Sequence, residues 1–368
     1  MGPYAAFGYL LSLLPALLAV AGNLKGGPWT LATTGFVCAL IVADWFAKED
    51  TRLAPDRPEW TPDLVLALHV LVHTLAVATL LEGIASGRLP AWRARDAALS
   101  TGLSSGVCGI VAAHELIHRR ARGWRLAGWW NLLLVNYTHF AVEHVQGHHK
   151  HVGTRSDPST ARLGESLYGF LVRSIPQQFA CALSLEARRL RQTGRAPFGV
   201  GNRVVLATAA QVLIAAGIGL SLGKPALAAF LWQGLIAVTV LQTVNYLQHY
   251  GLERVPGTRI EPAHSWESDR ISGRLLLLEL PRHADHHCHS TRPYQRLEAS
   301  ESSPLLPFGL LGTVPLLLIP PLWFAVARRA VERSQGDHAG VSRADAATSP
   351  RGPHAPVQAE ERSRTPAR

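Results

Sequence analysis

Apolar residues in this chain are gathered into long blocks separated by short polar stretches. A transmembrane helix needs about 20 mostly apolar residues, and six blocks approach that length. They are 4–22, 29–47, 64–85, 97–118, 203–222 and 225–248. Two shorter or proline-interrupted stretches, 127–142 and 305–328, are expected to be helices at the membrane interface. The pattern predicts an all-α integral membrane protein with about six transmembrane helices.

The charged residues predict the orientation of these helices. The chain has a net charge of +10, and most of its Lys and Arg lie in 48–63, 119–202 and 249–368. An even number of crossings places these segments on one side, which the positive-inside rule makes cytoplasmic. We therefore expect a multi-pass protein of a bacterial inner membrane with both termini in the cytoplasm. The positive charge then reflects membrane topology, and we expect no nucleic-acid partner.

The composition changes near the C-terminus. From about Ser334 onward the chain is rich in Ala, Arg, Pro and Ser and has almost no large apolar residues. Such a composition cannot bury enough apolar surface to fold. We predict a transmembrane domain over 1–330 and a disordered tail over 331–368.

The four cysteines are scattered along the chain, with no Cys-x-x-Cys pair. This pattern indicates neither a disulfide framework nor an iron–sulfur or rubredoxin-type centre. Any electrons that the protein uses must therefore come from a separate protein.

Histidines are concentrated in the predicted cytoplasmic segments. Thirteen of the 17 histidines lie within 114–151 and 249–289. Neutral imidazole is the commonest metal-binding side chain, and this number far exceeds the four ligands of a structural zinc site. We therefore predict two metal ions bound largely by nitrogen. Nitrogen ligands disfavour calcium and magnesium, but the ligand type alone leaves both iron and zinc possible.

Two of the histidine motifs have helical spacing. HELIH at 114–118 places His114 and His118 on one helical face, where both can bind the same ion. In EHVQGHHKHVGT at 143–154, we expect His144 and His148 to share a face and His149 to reach a second ion. HELIH alone also fits a zinc metalloprotease in which the glutamate is the general base, but that interpretation leaves most histidines unused.

Two further motifs follow the sixth apolar block. NYLQHYGLER at 245–254 places His249 where the block ends, and Asn245 lies one turn earlier, where it could hold a metal-bound water. RHADHHCHSTRPYQRL at 282–297 adds three more candidates. The nine predicted ligands are His114, His118, His144, His148, His149, His249, His283, His286 and His287.

Other polar residues near these motifs receive secondary roles. Carboxylates often accept the second N–H of a ligating imidazole, and we assign this role to Glu115, Glu143 and Asp285. The histidines with weaker claims to metal binding are His69, His73, His139, His151, His264 and His289.

Together, the four motifs resemble the membrane-bound alkane 1-monooxygenases of the fatty-acid desaturase/hydroxylase superfamily. The matching stretches are HELIHRR, EHVQGHHKHVGTRSDPSTARLGES, NYLQHYGL and HADHHCHSTRPYQRL, in the same order and with the same spacing. The segment DWFAKED at 44–50 is also similar, and the resemblance covers roughly 40–310. The chain departs from the family pattern at Gln248, where Glu is usual, and at Cys288, His289 and Ser290.

The resemblance implies a non-haem di-iron centre bound by the nine histidines, with O₂ as co-substrate. It implies electrons from rubredoxin or ferredoxin and an NAD(P)H-dependent reductase, and hydroxylation of a terminal methyl group to a primary alcohol. Xylene-type monooxygenases share the scaffold, so aromatic methyl groups are the alternative substrate. A lipid desaturase, an intramembrane zinc protease and a metal transporter fit the motifs less well.

The substrate of such an enzyme is apolar and dissolves in the bilayer. We therefore expect a cavity reached laterally between the second, third, fourth and sixth spans. Trp45 is a candidate for its lining.

Overall fold

The computed structural model describes residues 8–52 and 60–332. Within these ranges the regular elements are all helical, and β-pairing is limited to three isolated bridges. Nearly all of the predicted C-terminal tail lies outside the described residues. The prediction of an all-α protein is confirmed.

The helices follow one another in a simple order. They are α1 Gly8–Lys25, α2 Gly27–Phe46, α3 Trp60–Ala85, α4 Ala91–His118, α5 Arg122–Leu134, α6 140–151, α7 Leu167–Gln192, α8 Arg203–Ser221, α9 Lys224–His249, α10 Ile271–Leu276, α11 His283–Cys288, α12 Gly309–Leu317 and α13 320–332. Six of them, α1 to α4, α8 and α9, are long and apolar enough to cross a membrane. They coincide with the six predicted spans, so the protein is a multi-pass membrane protein.

Local sequence signals separate these helices. Gly26 lies between α1 and α2 with φ of 67°, and Gly223 lies between α8 and α9 with φ of 87°. The Asn202 side chain accepts hydrogen bonds from the Val204 and Val205 amides at the start of α8, a typical N-cap. The tight connections place consecutive helices side by side.

Helix α4 is the centre of the bundle. Its apolar window is 89% buried, whereas that of α8 is 6% buried. Glycines allow α4 to pack closely on α9: a Cβ at Gly102 would lie 2.7 Å from the Gln233 carbonyl oxygen, and one at Gly106 would lie 2.7 Å from the Val240 Cβ. The two helices that carry HELIH and NYLQHYGL are therefore in direct backbone contact.

The two predicted interface helices are each broken in two. Helix α5 ends at Leu134, and the chain turns through Asn136, with φ of 57°, before α6 begins. Helix α12 ends at Leu317, and α13 begins at Pro320 because proline fits the first turn of a helix. Both stretches are therefore helical, as expected, and each is divided between two helices.

Candidate metal centre

The nine histidines of the four motifs come together where α4, α6, α9 and α11 meet. They form two groups, and within each group the candidate ligand atoms lie within 4.8 Å of one another. The five-histidine group contains His114, His118, His144, His149 and His286. The four-histidine group contains His148, His249, His283 and His287.

A π-helical turn in α6 decides how its histidines are shared. The segment His144–His148 is π-helical, and a π-helix repeats at i+5 instead of i+4. His144 therefore joins His149, with their Nε2 atoms 3.1 Å apart, while His148 belongs to the other group. His144 and His148 do lie on the same side, with their rings stacked at a centroid distance of 5.2 Å. They nevertheless fall in different groups, and His149 shares a group with His144 instead of reaching the second one.

The other elements keep the spacing that the sequence predicts. His114 and His118 are one α-helical turn apart at the end of α4 and lie in the same group. In α11, His283 and His287 are also one turn apart, and their Nε2 atoms are 3.0 Å apart. His286 lies on the other side of this short helix, with its Nε2 atom 3.1 Å from that of His149.

Hydrogen bonds between the rings cannot satisfy all the nitrogen atoms of the two groups, whereas metal ions would. The Nε2 atom of His283 is within about 3 Å of two other Nε2 atoms, at 3.1 Å to His249 and 3.0 Å to His287. Neutral imidazole has one N–H, so one ring cannot donate to both and still bond elsewhere. The buried Nε2 atoms of His114, His118 and His148 have no hydrogen-bond partner among the residues that the structure describes. Bound metal ions would satisfy all of these nitrogens.

Burial keeps the ligand imidazoles in the metal-binding form. It lowers the pKa of His144, His149, His286 and His287 well below the usual value, and neighbouring histidines lower it further. Charged imidazolium is unfavourable away from water. Burial therefore favours the neutral form, which keeps a lone pair for a metal.

Asp157 supports the four-histidine group, and sequence reasoning missed it. Its Oδ2 lies 2.8 Å from the Nδ1 atom of His148, and both side chains are buried. Thr160 Oγ donates to the same Oδ2 at 2.6 Å, and the Ser159 amide donates to Oδ1 at 3.0 Å. A carboxylate in this position orients a ligating ring. The sequence did contain a signal for Asp157, because DPST at 157–160 lies within the longest stretch that resembles the family.

The carboxylates that the sequence suggested for this role have other partners. Asp285 accepts from His289 Nδ1 and from Arg292, each at 2.7 Å, and Glu115 accepts from Arg119 at 2.9 Å. Within the described ranges, neither forms a hydrogen bond with a grouped histidine. Each carboxylate is instead hydrogen-bonded to side chains that follow it in the chain: Glu115 to Arg119, and Asp285 to His289 and Arg292.

Glu143 and Asn245 are buried beside the groups. Glu143 accepts a long hydrogen bond from Ser159 Oγ at 3.4 Å, and burial, with the nearby Asp157 charge, raises its pKa well above the usual value. Asn245 donates to Gln242 Oε1 at 3.4 Å and lines the cavity described below. Among the described residues, neither side chain forms a hydrogen bond with a histidine.

The six weaker histidines all lie outside the two groups. His139 packs against Tyr137 and Phe179, and His69 is hydrogen-bonded to Ser12. The His73 ring fills the space beside Gly109. His264 and His289 bind neighbouring polar groups, and His151 has no place in either group.

An apolar cavity of about 170 Å³ ends at the histidines. Helices α2, α4 and α9 supply most of its wall, and His114, His144 and His283 lie on its surface. Within the described part of the chain, the third span, α3, contributes no lining residue, contrary to expectation. Trp45 also lies outside the lining, because its indole N–H donates to the Gly312 carbonyl at 2.6 Å.

Among the described residues, six helices that can span a membrane, two groups of histidines that could each hold a metal ion, and an apolar cavity that reaches both groups define a class. It is that of integral membrane proteins with two histidine groups suited to metal binding. The family model for fatty acid desaturases matches residues 89–327. The chain belongs to this family.

Curated relatives agree with this assignment. The chain is 41% identical to alkane 1-monooxygenase 1 of Pseudomonas aeruginosa over 74% of this chain and 75% of the relative. Identity to alkane 1-monooxygenase 2 of the same organism is 38%, over 81% and 82%. The xylene/toluene monooxygenase hydroxylase component XylM of Pseudomonas putida is 30% identical over 85% and 86%. The resemblance seen in the four motifs is confirmed, and the chain is a monooxygenase.

Proposed function

We propose that this protein hydroxylates a terminal methyl group of alkanes to a primary alcohol, using O₂ and two iron ions bound by the nine histidines. The observation that carries the proposal is the apolar cavity that ends at His114, His144 and His283, which come from both groups. An alkane has no polar group to recognise, so an apolar cavity is the site that it requires.

The chemistry of the donor set supports redox metal ions. Nine imidazole side chains, gathered in two groups, suit transition metals better than calcium or magnesium, which prefer oxygen ligands. When bound, the ions would activate O₂ and supply an oxidant, which amino-acid side chains cannot provide. The reaction R–CH₃ + O₂ + 2e⁻ + 2H⁺ gives R–CH₂OH and H₂O.

The protein's own residues hold the substrate and exclude water. The wall of the cavity is mostly Val, Leu and Ile, and the few polar side chains beside the histidines include Asn245 and Gln248. Thr239 and Thr243 also line the cavity, but their hydroxyls donate to backbone carbonyls of their own helix. A hydrocarbon in the cavity therefore meets mainly apolar side chains before it reaches the histidines. This arrangement brings its terminal carbon to the metal centre.

Electrons come from a separate protein, and we propose a rubredoxin or ferredoxin with its NAD(P)H-dependent reductase. The four cysteines are free, and none pairs with another. Exposed arginines near the histidine end, Arg120, Arg122 and Arg125, provide a basic surface for an acidic donor. Replacing all three with Glu should raise the donor's apparent KM several-fold at low salt, and an unchanged salt dependence would contradict this role.

The orientation and domain division follow the same proposal. We place the protein in a bacterial inner membrane, with the histidines and both termini in the cytoplasm, because the basic segments lie on that side. We also retain one catalytic domain over 1–330 and a separate tail over 331–368.

Aromatic methyl hydroxylation is the second candidate, favoured by the 30% identity to XylM. Cells that express the chain with an electron donor should convert octane and hexadecane to 1-alkanols and leave p-xylene largely unchanged. Oxidation of p-xylene alone would select the aromatic reaction. Metal analysis of purified protein should find about two irons per chain, and one zinc without iron would overturn both candidates.

A further inference from the structure

We propose that Glu279 and Gln248 are positioning residues that decide which carbon of the substrate is hydroxylated. They hold the turn 277–280, here called the cavity turn, which connects α10 to α11. The inference rests on the proposed alkane hydroxylation and names the part of the cavity that sets its regioselectivity.

The cavity turn lies between the substrate cavity and the histidines. Leu277 and Leu280 both line the cavity, and His283, three residues after Leu280, lies on the same surface. A shift of the turn would therefore move two apolar contacts of the substrate and the start of α11 together.

The backbone of the cavity turn does not adopt an ordinary conformation. Leu278 and Glu279 have φ values of 50° and 56°, in the left-handed region that side chains other than Gly, Asn and Asp rarely occupy. Such a conformation persists only where surrounding contacts hold it, and it is concentrated at functional sites. The contacts of Glu279 supply that constraint.

Glu279 is a buried hub, with 1% of its surface exposed. Arg274 donates to both of its carboxylate oxygens, at 2.7 and 3.1 Å, and the Tyr9 hydroxyl donates to Oε1 at 2.6 Å. The Glu279 amide donates to the Arg274 carbonyl at 2.8 Å, and its carbonyl accepts from the Arg282 amide at 2.9 Å. Side chain and backbone together tie the turn to α1 and α10.

Gln248 holds the other end of the cavity turn. The Gln248 Nε2 donates to the Leu280 carbonyl at 3.2 Å. The backbone carbonyl of Gln248 accepts from the Trp266 amide at 2.8 Å. Gln248 lines the cavity and directly precedes His249 of the four-histidine group. The turn is thus linked to the helix that carries a candidate ligand.

This double anchoring has a specific consequence for a hydrocarbon substrate. Because an alkane offers no hydrogen-bonding group, only the shape of the wall determines how far its end reaches. Adjacent carbons of a chain are separated by little more than 1 Å, and misplacement on that scale changes reactivity strongly. A rigid cavity turn therefore selects the terminal carbon.

The test compares two variants with two matched controls. Glu279→Gln and Gln248→Met each remove one anchor. Glu186→Gln removes an equally buried carboxylate with two arginine partners, outside the cavity lining. Gln233→Met removes a buried amide that donates to the Leu134 carbonyl at 2.7 Å on the same helix as Gln248. None of the control residues lines the cavity.

Two readouts are used: the ratio of 2-octanol to 1-octanol formed from octane, and the shift in melting temperature that octane causes in purified protein. Both anchor variants should raise the ratio at least about fivefold and reduce the octane-induced shift, while iron content stays at the wild-type level. Both controls should leave ratio and shift unchanged.

Equal ratios and equal octane shifts in wild type and iron-loaded anchor variants would overturn the inference, as would the same changes in the controls. If wild type forms no octanol, alkane hydroxylation fails as the proposed function. The octane shift still decides whether the anchors shape the cavity. If Glu279→Gln does not fold, Gln248→Met and the milder Tyr9→Phe decide by the same two readouts.

Discussion

The two histidine groups differ in how many ligands they have and in how those ligands are supported. The five-histidine group draws on α4, α6 and α11, and no carboxylate within the described residues is hydrogen-bonded to it. The four-histidine group has one ligand fewer, but Asp157 orients His148 and the His264 carbonyl lies 3.4 Å from the Nδ1 atom of His249. The five-histidine group therefore has more candidate ligands, whereas the ligands of the four-histidine group have more hydrogen bonds to surrounding residues.

This difference teaches which losses each group can tolerate. Removing one of five imidazoles leaves four nitrogens, enough for a four-coordinate ion. Removing one of four leaves only three nitrogens for the ion. Single substitutions should therefore affect the four-histidine group more severely.

The largest expected effect comes from removing one ligand from each group. His283→Ala should abolish activity, by more than about 100-fold, and reduce iron to about one per chain. His286→Ala should also lose activity but retain more of its iron. Metal analysis and octane turnover of the two purified variants measure both effects.

His139→Ala is the control for this comparison, because His139 lies outside both groups. It should keep the wild-type iron content. Equal iron loss from His283→Ala and His286→Ala would show that the number of ligands does not distinguish the groups.

An intermediate effect is expected from the outer support of the four-histidine group. Asp157→Asn removes the charge that orients His148, and such changes typically cost 10–100-fold in metal affinity or activity. Competition with a chelator should therefore remove one iron earlier than in wild type. Asp285→Asn is the matched control, since Asp285 contacts His289 and Arg292 and not a grouped histidine.

A faster loss of iron from Asp285→Asn than from Asp157→Asn would reverse this assignment. The outcome would mean that the carboxylate between the α11 histidines supports the metal through the helix itself.

The sequence predicts the members of the groups but not how they divide. Periodicity and helix ends were sufficient to choose nine histidines and to place His69 and His73 elsewhere. The division of His144 and His148 depends on a π-helical turn, which arises from tertiary packing and leaves no distinct sequence pattern. Asp157 was missed because its partner contact is made by a loop fold-back and not by helical spacing.

The transmembrane helices were predictable for a different physical reason. A bilayer demands long apolar segments whatever the rest of the fold, so the six spans can be located from composition alone. The break near Asn136 depends on a local turn within an apolar stretch, which hydrophobicity does not reveal. The break before Pro320 was foreshadowed by the prolines of 305–328. The cavity depends on contacts between distant segments such as α2, α4 and α9, which a single sequence does not encode locally.

The smallest effect on the metal centre should come from Glu186 of α7, whose carboxylate is buried and lies 2.8 Å from Arg189 and 2.5 Å from Arg203. Burial opposes its charge, but the hydrogen bonds from these arginines outweigh burial and lower its pKa to about 2. Because the pKa is depressed in the folded protein, the stabilisation is present above about pH 4.5 and is lost as pH falls toward 2. Glu186→Gln should lower the unfolding free energy by about 1–3 kcal/mol at neutral pH.

The melting temperature of this variant, followed from pH 7 downward, should therefore converge on that of wild type at acidic pH. Iron content at neutral pH should remain equal in both proteins, because Glu186 contacts neither histidine group. A variant that loses iron in proportion to its lost stability would show instead that the two groups share their stability with α7. The two histidine groups would then differ only in their number of ligands, because the whole helical bundle would stabilise both.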